Sequence, residues 1–248
     1  MAAKFISQAE IDDILRQHRF YSAFQPICTL DTLEVVGYEA LTRFEGGWTP
    51  DVVFGSARYG IDLQRLEVDS IHSALNTAPR KLNGGSFLAL NLSPLTISQR
   101  PGELIETLSQ ADRPLVVEIT EHLPVVDYEQ MKNWRADVRA HAGIAIDDLG
   151  ANDSGIRTLV ELHPEYLKMD ISLIRELEGD CYRQALVAAL VKFADRVGCK
   201  LIAEGVETVA ELRTLRELGV PLGQGFLLGR PERDPITRVD PALVRILV

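Results

Sequence analysis

The stretch SAFQPICTLDTLEVVGYEALTR, residues 22–43, decides the fold. It holds two apolar, β-branched runs of strand length, Ser22–Thr29 and Val35–Arg43, with only the five residues Leu30 to Glu34 between them. A parallel crossover needs a dozen or more residues, so these two strands are antiparallel. Downstream the pattern changes. The runs Phe87–Leu92, Leu115–Thr120, Ile144–Asp147, Tyr166–Met169, Leu201–Ala203 and Gly223–Leu228 alternate with longer segments of helical period. Such alternation builds a parallel sheet covered by helices. Eight strands in a chain of 248 residues favour closure. The sequence therefore predicts an α/β fold, a modified TIM (β/α)₈ barrel with an antiparallel first strand, as one domain over 1–248.

The helices carry their own punctuation. Ser7 with Glu10 forms a capping box that opens a helix toward His18. Ser93-Pro94 sets an N-cap residue before a proline at the first helical position. Leu186, Ala189, Leu190, Phe193, Ala194 and Val197 form an apolar stripe predicted to face the core, in a helix stopped by Gly198. Thr208 with Glu211 caps the next helix, which ends near Gly219.

Composition limits what the chain can do. Hydrophobic residues are 46% and charged residues 25%, an ordinary globular balance that excludes disorder and fibrous repeats. No apolar run approaches the ~18 residues of a membrane span, and Met1 to Ser7 show no secretory-signal pattern. Cys28, Cys181 and Cys199 are too few and too scattered for a disulfide framework or a thiolate metal site. A reduced, cytoplasmic protein without a membrane segment is expected. With 26 Lys+Arg against 36 Asp+Glu the net charge is −10, which disfavours DNA or RNA polymers as partners. A phosphorylated substrate would need something other than side-chain cations to offset its charge, and a divalent metal is the natural candidate.

The informative residues lie where strands end. Strand two carries Glu39 and Arg43, strand three Asn91, strand four Glu118 with Glu121 three residues on, and strand five the pair Asp147-Asp148. Strand six delivers Lys168 and Asp170, strand seven Glu204, and strand eight Gln224. In a barrel these ends converge on the face that holds active sites. Glu39, Glu118, Asp147, Asp148 and Glu204 then gather at one mouth with little to neutralise them, and so take up protons or bind cations. An oxygen-rich set suits hard ions such as Mg²⁺ or Mn²⁺. Adjacent aspartates suit two-metal phosphoryl chemistry, and Lys168 suits orienting a water. Any one of these residues alone is more simply a loop end or a helix cap; their joint placement after apolar runs is what points to a site. The five histidines form no H-x-x-x-H pair, which argues against a zinc hydrolase. Gly46-Gly47 and Gly84-Gly85 are turns, Ser93 is a cap, and Gly223-Gln224-Gly225 lets backbone pass closely at the mouth.

The sequence resembles the EAL-domain cyclic di-GMP phosphodiesterases from about Phe24 to Pro231. The likeness rests on Phe24-Gln25-Pro26-Ile27, Tyr38-Glu39-Ala40-Leu41-Thr42-Arg43, Leu90-Asn91-Leu92-Ser93, Val117-Glu118-Ile119-Thr120-Glu121, Ile146-Asp147-Asp148-Leu149-Gly150, Leu167-Lys168-Met169-Asp170, Ala203-Glu204-Gly205-Val206-Glu207 and Gln224-Gly225-Phe226. The resemblance implies metal-dependent hydrolysis of cyclic di-GMP to linear pGpG with two Mg²⁺ or Mn²⁺ ions, Ca²⁺ being inhibitory. It implies that Glu39, Asn91, Glu118 and Asp147 hold the first ion, and that Asp147, Asp148 and Glu204 hold or support the second. Lys168 would contact the attacking water, and Gln224 would complete the polar shell beside it, the two acting with Glu39 and Glu204 in catalysis. Gln25, Leu41 and Arg43 match positions that touch the dinucleotide, with Arg43 near a phosphate, and Glu121 matches a glutamate that anchors the loop after strand five. A homodimer through the barrel follows from the same likeness.

Three departures bear on rate and regulation. Leu149-Gly150-Ala151-Asn152-Asp153-Ser154-Gly155 replaces the family's usual Phe-Gly-Thr-Gly-Tyr-Ser-Ser loop, Thr42 replaces a leucine, and the stretch from Arg43 to Asp62 is short. No Gly-Gly-Asp-Glu-Phe cyclase motif is present, and the residues before Phe20 are too few for a sensory domain. A second reading is a catalytically silent module that binds cyclic di-GMP or docks a protein. A third, another metal-dependent barrel enzyme such as a lyase, fits the antiparallel first strand poorly.

Overall fold

Thr29 closes the turn between the first two strands. Its N–H donates to Glu34 O at 2.9 Å, and its hydroxyl accepts from Glu34 N at 3.2 Å. The computed structural model describes residues 5–57, 62–82, 84–120, 125, 127–149 and 155–247, with the side chains at 79, 80, 148, 149, 155, 246 and 247 outside the description. On either side of the turn run β1 (Phe20–Thr29) and β2 (Val35–Phe44), antiparallel, with Gln25 opposite Glu39 and Tyr21 opposite Arg43.

The remaining strands are β3 (Phe87–Leu92), β4 (Leu115–Ile119), β5 (Ala142–Leu149), β6 (Tyr166–Met169), β7 (Lys200–Ala203) and β8 (Leu222–Gly223). They run parallel to β2, and β1 pairs antiparallel with β8 to close the barrel. Around it lie α1 (Gln8–Gln17), α2 (Pro50–Ala57), α3 (Asp62–Lys81), α4 (Pro94–Gln99), α5 (Pro101–Ser109), α6 (Tyr128–Val138), α7 (Gly155–Leu162), α8 (Ile171–Ile174), α9 (Cys181–Val197), α10 (Val209–Glu217) and α11 (Pro241–Leu247). Both capping boxes are formed, at Ser7/Glu10 and Thr208/Glu211, and Ser93 caps α4 ahead of Pro94. Gly198 ends α9 at φ 73°, in the left-handed region that suits glycine.

Strand geometry alternates side chains between faces, and this layers the barrel interior. Ile27, Phe87, Ala89, Val116, Ala145, Ile202 and Leu222 form one buried apolar cluster, with Tyr166 against it. The Phe87 ring fills the space above Gly37, where a Cβ would sit 2.4 Å from it. Helices pack outside on Leu88, Leu90, Leu115, Val117, Ile144, Leu167 and Leu201.

Two expectations are corrected. The eighth strand is two residues long rather than Gly223–Leu228, because beyond Gly223 the chain turns on itself. Gln224 N donates to Ala203 O at 2.8 Å, and Leu228 N and Gly229 N both donate to Gly225 O. The close passage predicted for this triplet is present: a Cβ on Gly225 would lie 2.2 Å from the backbone of Val206. Second, of the six residues of the α9 stripe predicted to face the core, Leu190 and Ala194 do so, while Leu186, Ala189, Phe193 and Val197 face solvent. The helix is apolar over more than half its circumference, and Leu190 and Ala194 pack on the core together with Val187 and Val191 on the adjoining side. Among the described residues no helix is long and apolar enough to cross a membrane.

Candidate active site

Two residues along each strand from its apolar inward position comes another inward position, and at the mouth every one of these is polar. Ile27 on β1, which runs the other way, is followed toward the mouth by Gln25; Gly37 by Glu39, Ala89 by Asn91, Val116 by Glu118 and Ala145 by Asp147. Tyr166 is followed by Lys168, Ile202 by Glu204 and Leu222 by Gln224. One residue from each strand, or the position just past its end, thus contributes to a single ring.

Lys168 stands at its centre, with 1% of its side chain exposed. Its Nζ lies 2.7 Å from Glu118, 2.8 Å from Glu204, 3.0 Å from Asp147 and 3.5 Å from Glu39. The expectation of carboxylates with little to neutralise them is corrected to this extent: one ammonium touches four of them. Fully ionised, the group would still carry a net charge of −3. A buried cluster relieves such repulsion by keeping protons or binding cations.

Their titration follows from this arrangement. Burial raises the Glu118 carboxyl well above the usual carboxylate range, and the charge of Glu39 pushes it the same way. Burial likewise takes Glu204 to about 8. Burial alone would raise Glu39 too, but Lys168 and the donors Asn91 and Gln224 outweigh it and lower the group. Lys168 is raised: burial disfavours its charge, yet Asp147, Glu118, Glu204 and Glu39 together overcome that.

Glu39 is held at both oxygens. Asn91 Nδ2 donates to Oε1 at 2.8 Å and Gln224 Nε2 donates to Oε2 at 2.6 Å. Behind Gln224 stands Gln25, which accepts from Gln224 Nε2 at 3.0 Å and donates to Gly229 O at 3.0 Å. A carboxylate can only accept, so the chain of amides has one consistent direction. Gln25 is buried with both amide ends engaged. Leu41 and Arg43 line a cavity of about 490 Å³ that opens from Glu39, Asn91 and Asp147 toward α2 and α3.

Two residues proposed from sequence fall outside what is described: Glu121 entirely, and Asp148 in its side chain. The loop residues 150–154 lie outside as well. One residue was missed. Glu67 of α3 lines the same cavity, is buried, and accepts from Ser93 N at 3.2 Å and Ser93 Oγ at 2.9 Å, two residues beyond Asn91. Burial raises its carboxyl to about 7. Its signal was a carboxylate within the apolar face Leu63, Leu66, Ile71 and Ala74 of a helix.

The donors suit a hard divalent ion. They are all oxygen, their charge exceeds that of Lys168, and Glu118 Oε1 is buried with no hydrogen-bond partner among the described residues. Among the described residues no three such side chains are drawn into a finished cage.

Fold and mouth together define an α/β barrel whose catalytic-type face is acidic and lysine-centred. The sequence profile of the EAL domain matches residues 8–231, and the chain belongs to that family. It is 29% identical over 237 residues to the probable cyclic di-GMP phosphodiesterase PdeD of Escherichia coli (strain K12), spanning 90% of this chain and 43% of that one. Klebsiella pneumoniae BlrP1, solved as a calcium/cyclic di-GMP complex, matches with a TM-score of 0.78 and 31% identity over 86% of this chain and 56% of that one. The PaMucR phosphodiesterase in complex with c-di-GMP gives a TM-score of 0.76 and 28% identity over 90% of this chain and 97% of that one. The chain spans less than half the length of curated relatives such as PdeD.

Proposed function

We propose that this chain is a single EAL domain, 1–248, that hydrolyses cyclic di-GMP to pGpG with two divalent ions, Mg²⁺ or Mn²⁺. The observation that carries the reading is the ring itself, in which each of the eight strands, or the position just past its end, supplies one polar side chain, five of which would be oxygen ligands. Glu39, Asn91, Glu118 and Asp147 would hold one ion, and Asp147, Asp148 and Glu204 the other. When bound, the ions supply Lewis-acid activation of a water and offset charge at the phosphate. The chain's own groups do the rest. Arg43, on the cavity wall, takes a phosphate oxygen. Lys168 orients the attacking water with its N–H donors. Gln224, fixed by Gln25, holds Glu39 in a single rotamer, so the ligand is positioned before the ion arrives. Leu41 packs against the dinucleotide. A cytoplasmic location and a homodimer through the barrel belong to the same reading.

A second reading, a silent module that binds cyclic di-GMP, is favoured by one observation: the Lys168 ammonium pairs with four of the carboxylates that would otherwise be free to hold ions. Product chromatography with Mg²⁺ or Mn²⁺ and calorimetry with Ca²⁺ separate the two. pGpG in the first supports hydrolysis. Binding in the second with no product in the first supports the silent module.

A further inference from the structure

Beyond Gly229 the chain runs back across the mouth beside β1. Phe24 N donates to Glu232 O at 2.8 Å and Glu232 N donates to Phe24 O at 3.2 Å, an isolated antiparallel bridge. The two residues after the bridge, Arg233 and Asp234, lie in a bend and take different partners. Asp234 pairs with Lys81 of α3, on the outer side. Arg233 points the other way: its guanidinium carbon sits 3.5 Å above the Tyr21 ring. Tyr21 lies opposite Arg43 in an unbroken register that also pairs Gln25 with Glu39, so Tyr21, Arg43, Gln25 and Glu39 share one face of the β1–β2 ribbon. Arg233 therefore joins the face that carries the site.

Arg233 and Arg43 thus flank Tyr21 on the rim. With strands about 4.7–4.9 Å apart, their backbones stand on the order of 10 Å apart. Among the described residues Arg43 donates only to Thr42 O, at 3.0 Å, and neither guanidinium has a carboxylate partner. A cyclic dinucleotide carries two phosphates, and only one of them can sit over the carboxylate ring to be cut.

We infer that Arg233 is a specificity-determining residue that binds the uncut phosphate of the dinucleotide, with Tyr21 as the platform that holds its guanidinium flat toward the mouth. The inference rests on the phosphodiesterase reading. Arg43 serves the reacting phosphate and Arg233 the distant one, so a substrate with a single phosphodiester does not use Arg233. Arginine suits the task because its planar fork both stacks on a ring and grips a phosphate.

The test compares cyclic di-GMP with bis(p-nitrophenyl) phosphate, which has one phosphodiester, in wild type, Arg233→Gln, Arg233→Lys and Arg196→Gln, the last removing the same charge from exposed α9. Arg233→Gln should lower the ratio of kcat/KM for cyclic di-GMP over the aryl ester about tenfold, the order of one charge-assisted hydrogen bond. The loss should appear as a rise in KM, be partly restored in Arg233→Lys, and be absent in Arg196→Gln. A ratio unchanged within about twofold, or matched by Arg196→Gln, overturns the role. If wild type cleaves neither substrate, the phosphodiesterase reading fails on its own, and calorimetry of cyclic di-GMP with Ca²⁺ still reads Arg233: about tenfold weaker binding in Arg233→Gln upholds the contact. Unchanged affinity, or no binding by wild type, ends it.

Discussion

Lys168 Nζ and Glu118 Oε2 meet at 2.7 Å in a pair with essentially no solvent exposure on either side. Breaking a buried pair by removing one partner leaves the other charge uncompensated, which costs about 3–5 kcal/mol. Lys168→Met should therefore lower urea stability in EDTA by roughly that amount, since three further carboxylates also lose their counter-charge. Turnover should fall more than substrate affinity. A variant as stable as wild type without metal would show that the lysine does not hold the buried carboxyl cluster together.

Glu39 receives donors from two neighbouring elements, Asn91 at 2.8 Å and Gln224 at 2.6 Å. Glu39→Ala should abolish hydrolysis of cyclic di-GMP while leaving the circular dichroism spectrum unchanged, because the apolar layer beneath it is untouched. Retained turnover in that variant would remove Glu39 from the metal set.

The buried carboxyl of Glu67 titrates at about 7 in the folded chain against 4.5 in the unfolded one. Between those values the folded state holds more protons, so stability declines as pH rises through the window. The full effect is on the order of 3 kcal/mol. Glu67→Gln keeps an acceptor for Ser93 but cannot ionise. Its urea stability in EDTA should fall less than that of wild type between roughly pH 5 and pH 8, and equal pH slopes would contradict the assignment.

Gly225 has no room for a side chain, its Cβ position lying 2.2 Å from both N and O of Val206. Because the obstacle is backbone, Gly225→Ala must shift the segment between Glu204 and Gln224. A drop in melting temperature of roughly 5–10 °C is expected, and a change within about a degree would mean that this turn adapts freely.

Much of this was readable in the chain, for physical reasons particular to each element. The five-residue gap between Thr29 and Val35 leaves no alternative to an antiparallel first pair. The ring was legible because each polar residue stands two positions from an apolar one on the same strand face, as with Ala89 and Asn91 or Ile202 and Glu204. Other features depend on packing that no local pattern encodes. The β8 run looked longer because Phe226, Leu227 and Leu228 are apolar, yet Gln224 N turns to Ala203 O and the chain folds over Gly225. On α9, two apolar rows overlap, and only packing selects Val187 and Val191, beside the predicted Leu190 and Ala194, over Leu186 and Phe193. Glu67 escaped notice because its partner, Ser93, is far away in sequence. For the same reason, nothing in the chain revealed that Lys168 touches four carboxylates at once.

The account turns on divalent ions working within the ring of Glu39, Asn91, Glu118, Asp147 and Glu204. The most direct measurement is the rate of pGpG formation from cyclic di-GMP by the protein as purified, after EDTA, and after Mn²⁺ is restored, with Glu118→Gln alongside. The account predicts product in the first, none in the second and recovery in the third, with Glu118→Gln failing to recover. Hydrolysis that persists in EDTA, or that Glu118→Gln recovers in full, would contradict it.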